Sequence, residues 1–151
     1  MTHPPSGAPA PAPRVTPATW LAVGGGGALG AVLRWAVQLA MPSRPAGFPW
    51  STLAINVAGC LLIGFLAQWL PSRVPHPDLR AFLTVGVCGG FTTFSTFAVD
   101  AISLASHDAV TPLLYAAGTT AFCLAAVFAG FRLGDLIDGS RALSTDVPPT
   151  G

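Results

Sequence analysis

Residues 89 to 97 read Gly-Gly-Phe-Thr-Thr-Phe-Ser-Thr-Phe, inside a stretch otherwise apolar enough to cross a bilayer. Hydrocarbon offers no water to unpaired backbone groups. Irregular backbone at membrane depth therefore survives only where protein buries it or where it lines a watery path. On a helix Phe94 and Phe97 share a face, as do Thr93 and Thr96, with Ser95 adding a further hydroxyl. An aromatic ring is electropositive at its edge, so two ring edges turned into a narrow path could hold an anion weakly. Conduction requires such weak, multiple sites. The competing reading is a phenylalanine stripe packed in a core, but that leaves the glycine pair and the hydroxyls without a role. A helix broken between Gly89 and Thr93 would also free main-chain carbonyls, which are hard oxygen donors for a cation.

Other residues could join this chemistry. Asn56 is an amide deep in an apolar stretch, Thr52-Leu53-Ala54-Ile55-Asn56-Val57-Ala58-Gly59. It can tie two helices together or donate its amide hydrogens to an ion. Tyr115, Thr119 and Cys123 recur every fourth residue and share one helix face, with Thr120 beside them. That polar track fits an ion path or interhelical hydrogen bonding equally well. Arg34 lies two-thirds along the first apolar run, where it can reach headgroups or make a positive vestibule. Asp100, near the end of the third run, either pairs with an arginine or is wet at the interface.

The elements that must position these residues are membrane helices. Of 151 residues, 52% are hydrophobic and 9% charged, against about 25% charged in soluble domains. Four apolar spans follow: about Ala18 to Met41, Trp50 to Leu70, about Leu79 to Ala105, and Thr111 to Gly134. Each reaches the roughly 20 residues that a membrane helix requires. Short punctuated loops, among them Pro42-Ser43-Arg44-Pro45, make consecutive helices antiparallel neighbours. Residues 1 to 17 form a Pro/Ala-rich tail expected to be disordered, and residues 139 to 151 form a second, flexible tail. The four-span membrane region is then residues 18 to 138. The arginine distribution, with Arg14, Arg73, Arg80, Arg132 and Arg141 against Arg44 and Arg34, favours cytoplasmic termini.

The Gly25-to-Gly30 match to Gly-x-Gly-x-x-Gly lacks a preceding strand and an acid about 20 residues on, so it is no dinucleotide site. Gly26 with Gly30, Gly86 with Gly90, and Gly130 with Gly134 are instead small-xxx-small faces for close helix packing. Cys60, Cys88 and Cys123 lie in separate runs without metal-ligand spacing and are expected to be small packing residues. A net charge of +1 gives no basic patch for nucleic acid.

Three segments carry a resemblance to a known family. They are Gly25-Gly26-Gly27-Ala28-Leu29-Gly30-Ala31-Val32-Leu33-Arg34-Trp35, the Thr52 to Gly59 run, and Gly86-Val87-Cys88-Gly89-Gly90-Phe91-Thr92-Thr93-Phe94-Ser95-Thr96-Phe97. Over about residues 20 to 134 the chain resembles the CrcB/Fluc fluoride channels. The resemblance implies an all-α membrane protein of four transmembrane helices, the third broken near its middle. It implies an antiparallel, dual-topology homodimer in the cell membrane, with two fluoride pores. It implies a structural sodium ion at the dimer interface, held by the main-chain carbonyls of Gly89 and Thr92. Asn56, Phe94 and Phe97 fall on pore positions, Arg34 on the vestibule arginine, and Tyr115, Thr119 and Cys123 on the polar track. Cys123 stands where a hydroxyl residue is usual, and Asp100 where a Glu is common.

The implied activity is passive fluoride export, which lowers fluoride toxicity in the cell. The alternative is a small proton-coupled exporter of cationic drugs. That chemistry wants an exchangeable carboxylate deep in the membrane, and the chain has no Glu and only the peripheral Asp100. A membrane scaffold is a third reading. An enzyme is disfavoured, because no acid/base pair, metal cluster or nucleophile-histidine arrangement is present.

Overall fold

The computed structural model describes residues 15–42, 47–106 and 108–145, with side chains as far as residue 138. The tail of residues 1–14, with Arg14, and most of the first loop, with Arg44, lie outside the described residues, as does the Arg141 side chain.

Helix α1 (Pro17–Ala40) starts at a proline, whose missing N–H costs nothing in a first turn. Thr16 caps it by accepting from the Thr19 N–H, and Thr19 reciprocates. Helix α2 (Trp50–Arg73) runs three residues beyond the expected end at Leu70, with Pro71 inside its last turn. Arg73 is held there by a 2.8 Å ion pair to Asp138 and by stacking over Trp69.

The third span is built in pieces. A short helix α3 (Pro77–Ala81) leads into a π-helical stretch, Phe82–Cys88, and then one turn, α4 (Gly89–Phe91). Thr92 and Thr93 have extended backbone, with φ/ψ of −71°/157° and −147°/120°. Helix α5 (Phe94–Ala105) follows, and helix α6 (Thr111–Thr145) forms the fourth span. α6 continues past residue 138, where the sequence suggested a tail. Four helical stretches are long and apolar enough to cross a membrane, and no strand occurs among the described residues.

Consecutive spans are not the main partners. α1 packs chiefly on the first half of the third span, and α2 packs along α6. The glycine faces explain the pairing. A Cβ on Gly26 would strike the Phe82 carbonyl and Gly86, and one on Gly90 would strike Gly27, so these two small faces mate. A Cβ on Gly64 would strike the Val127 carbonyl, and one on Gly130 the Leu61 carbonyl. Contacts advance in the same direction along both partners, from Gly64 with Val127 to Arg73 with Asp138, so each pair is parallel. Close backbone approach gains dispersion contacts that lipid cannot match, and this outweighs neighbourhood in sequence.

Candidate functional site

The interruption at Thr92 and Thr93 is stabilised by polar side chains. The Thr92 hydroxyl donates to the Cys88 carbonyl at 2.9 Å. Thr93 is the N-cap of α5, its hydroxyl accepting from the Thr96 N–H at 3.2 Å. Asn56 reaches across from α2 and makes both of its hydrogen bonds to one residue. Its Oδ1 accepts from the Thr93 N–H at 2.9 Å, and its Nδ2 donates to the Thr93 carbonyl at 3.0 Å. The amide thus replaces the helical partners that this buried residue lacks. One Nδ2 hydrogen remains for another acceptor.

These bonds redirect the carbonyls on either side. In a continuous helix the Gly89 carbonyl would accept from the Thr93 N–H, which Asn56 now takes. The Thr92 carbonyl would accept from the Thr96 N–H, which the Thr93 hydroxyl takes. Arg34 of α1 donates from Nη1 to the Thr92 carbonyl at 3.2 Å. Arg34 is therefore anchored to the interruption and half-buried.

A groove of about 630 Å³ opens beside this point. Asn56, Gly89, Thr92, Thr93, Phe94, Phe97, Thr119, Thr120 and Cys123 line it together. The Thr119 hydroxyl is buried and has no hydrogen-bond partner among the described residues. The Phe94 and Phe97 ring centroids are 5.8 Å apart. Phe97 packs on Tyr115 at 5.2 Å, whereas Phe94 is 80% exposed on the protomer.

The other expected residues lie around the groove rather than in it. Tyr115 is buried under Phe97 and Phe48, its hydroxyl near Asp100 and Thr52 but outside hydrogen-bonding geometry. The Thr96 hydroxyl accepts from the Thr93 hydroxyl at 3.0 Å, and Ser95 is exposed beside it at 3.3 Å from Thr93. Among the described residues Asp100 pairs with no arginine, and it is not simply wet: the Thr52 hydroxyl donates to it at 2.6 Å. Helical spacing had no means of locating that bond, because it joins two spans of unknown register. The same holds for Gly59 and Cys60, which also line the groove. Gly59 could have been anticipated from the Asn56 segment, since a Cβ there would strike the Thr92 methyl group.

The chain matches the family model described as CrcB-like protein, Camphor Resistance (CrcB), over residues 21–131. It belongs to the CrcB family. The fluoride-specific ion channel FluC of Rhizobium meliloti (strain 1021) is 47% identical over 116 residues, covering 75% of this chain and 93% of that one. FluC 2 of Nocardia farcinica (strain IFM 10152) is 43% identical over 125 residues, covering 82% and 89%. FluC of Chlorobium phaeobacteroides (strain BS1) is 40% identical over 121 residues, covering 79% and 94%. With four apolar spans, this CrcB chain is a multi-pass membrane protein. The matched region contains every groove residue named above.

Proposed function

We propose that the chain is a passive, fluoride-selective channel that exports fluoride from the cytoplasm, and that it is not an enzyme. The observation that carries this reading is the groove of a CrcB-family protein, which Asn56, Phe94, Phe97 and Thr119 line together, the Thr119 hydroxyl being buried and without a partner among the described residues. Fluoride is small and strongly hydrated, so a path must replace its water with many donors. The spare Asn56 N–H and the Thr119 hydroxyl can donate, and the Phe94 and Phe97 edges add weak positive potential. Among the described residues no fixed cation lines the groove itself, and Arg34 donates to the Thr92 carbonyl. Weak sites of this kind let an ion leave as well as enter. A negative membrane potential drives an anion outward by roughly 2.3 kcal/mol per 100 mV, so no energy-coupling site is required.

The proposal extends to a homodimer of antiparallel copies with a discontinuous third span at its centre. Phe94 supports it, because a second copy would cover a ring that this protomer leaves exposed. Gly89 and Thr92 would hold a sodium ion through their main-chain oxygens. The Gly89 carbonyl has lost its helical donor, and the Thr92 carbonyl keeps a second lone pair beside Arg34. When bound, the ion would supply positive charge that fixes these carbonyls and joins the copies. Growth tests the function: cells stripped of their own fluoride export should regain growth on fluoride medium when they express the chain. No rescue by a membrane-inserted chain contradicts the reading.

A further inference from the structure

The α2–α6 seam carries a ladder that the fluoride path uses only in part. Gly64 lies against the Val127 carbonyl, and the two helices run parallel. Stepping back one turn at a time on both, the register matches Cys60 with Cys123, Asn56 with Thr119, and Thr52 with Tyr115. Tyr115 does lie beside Thr52, and Cys123 beside Cys60, as this register requires. Both cysteines are free, half-buried and on the wall of the groove. They occupy the turn next to Asn56 and Thr119. Ile63, Leu124 and Val127 make the surrounding wall apolar.

From this juxtaposition we propose that Cys60 and Cys123 form a two-thiol site for a soft monovalent metal cation, copper(I) or silver(I), and that an ion bound there obstructs the path. Sulfur ligands select such ions over the hard cations that favour oxygen. Two ligands from two helices suit a linear two-coordinate ion, so no third donor is called for. Binding deprotonates both thiols, because the thiolate is the form that ligates metal. Two protons are released, two metal–sulfur bonds form, and the bound site carries one net negative charge. That charge on the wall of the path repels an incoming anion. The third cysteine, Cys88, lies in the same groove but on the π-helical stretch of the third span, outside this seam. The binding half of the proposal stands on the seam alone, and the obstruction half rests on the fluoride reading.

The test uses the full chain reconstituted in vesicles, with silver nitrate as the probe in chloride-free buffer. One silver ion per chain should bind, release two protons, and protect Cys60 and Cys123 together from a maleimide. Cys88→Ala should bind as the parent does, while Cys60→Ala and Cys123→Ser should each weaken binding at least tenfold. Equal binding by those two variants, or protection of one thiol alone, overturns the site. In the same vesicles silver should slow fluoride efflux at least tenfold in the parent and in Cys88→Ala. Silver binding with unchanged efflux overturns the obstruction. A chain that binds silver at both thiols but carries no fluoride refutes the transport reading and upholds the site.

Discussion

Replacing Asn56 by leucine keeps the branched shape of the side chain and removes both hydrogen bonds to Thr93. In the parent these are the 2.9 Å bond from the Thr93 N–H and the 3.0 Å bond to its carbonyl. Thr93 is only 6% exposed and its backbone is extended, so neither group regains a helical partner without moving the interruption. A buried polar group left unpaired costs about 1–3 kcal/mol, which gives about 2–6 kcal/mol for the two. The α5 cap would loosen as well, because the same residue presents its hydroxyl to the Thr96 N–H. Equilibrium unfolding in mixed micelles, followed by tryptophan fluorescence, measures the loss. Fluoride flux should fall with it. Asn56→Leu within about 0.5 kcal/mol of the parent, the range of a neutral surface change, would refute the idea that this amide braces the third span. It would return Asn56 to the role of a donor to the ion alone.

Thr119→Val should leave stability unchanged or slightly higher, because the hydroxyl it removes has no partner among the described residues. Fluoride flux should nevertheless drop at least tenfold, and a variant with parental flux would remove Thr119 from the path. Gly30→Ala should destabilise by about 1–3 kcal/mol through overpacking, since its Cβ would strike the Val87 carbonyl and stand 2.7 Å from the Phe91 nitrogen. Exchanging sodium for a bulky organic cation should lower the thermal transition of the purified assembly, as loss of a ligand bound to the folded state must. An unmoved transition across a wide sodium range would count against the Gly89 and Thr92 site.

Much of this arrangement is legible from residue types. Length and hydropathy locate the four spans, and the glycine spacing marks the faces that mate. The Gly89-to-Phe97 run identifies where the third span is irregular. What local pattern misses is register between spans. Nothing within α2 says that Asn56 faces Thr93 rather than an open path, or that Thr52 faces Asp100. Both depend on how far two helices slide before their backbones touch. Loop length also misleads, because short loops suggest that neighbours in sequence pack together. The small faces of Gly26 and Gly30 instead draw α1 onto Gly86 and Gly90. Arg34 is the sharpest instance of the same limit. Its place along α1 suggests a headgroup anchor or a free vestibule charge, while the fold puts its guanidinium on the Thr92 carbonyl. The π-helical Phe82–Cys88 has no local signal beyond its small residues.

The most direct test of the central claim is ion efflux from liposomes that hold the purified chain, loaded with fluoride or chloride and read by ion-selective electrodes. A potassium ionophore removes the charge build-up. The account predicts rapid fluoride release that requires the ionophore, with chloride retained. Comparable release of both halides, or no fluoride release from a correctly inserted protein, would contradict it.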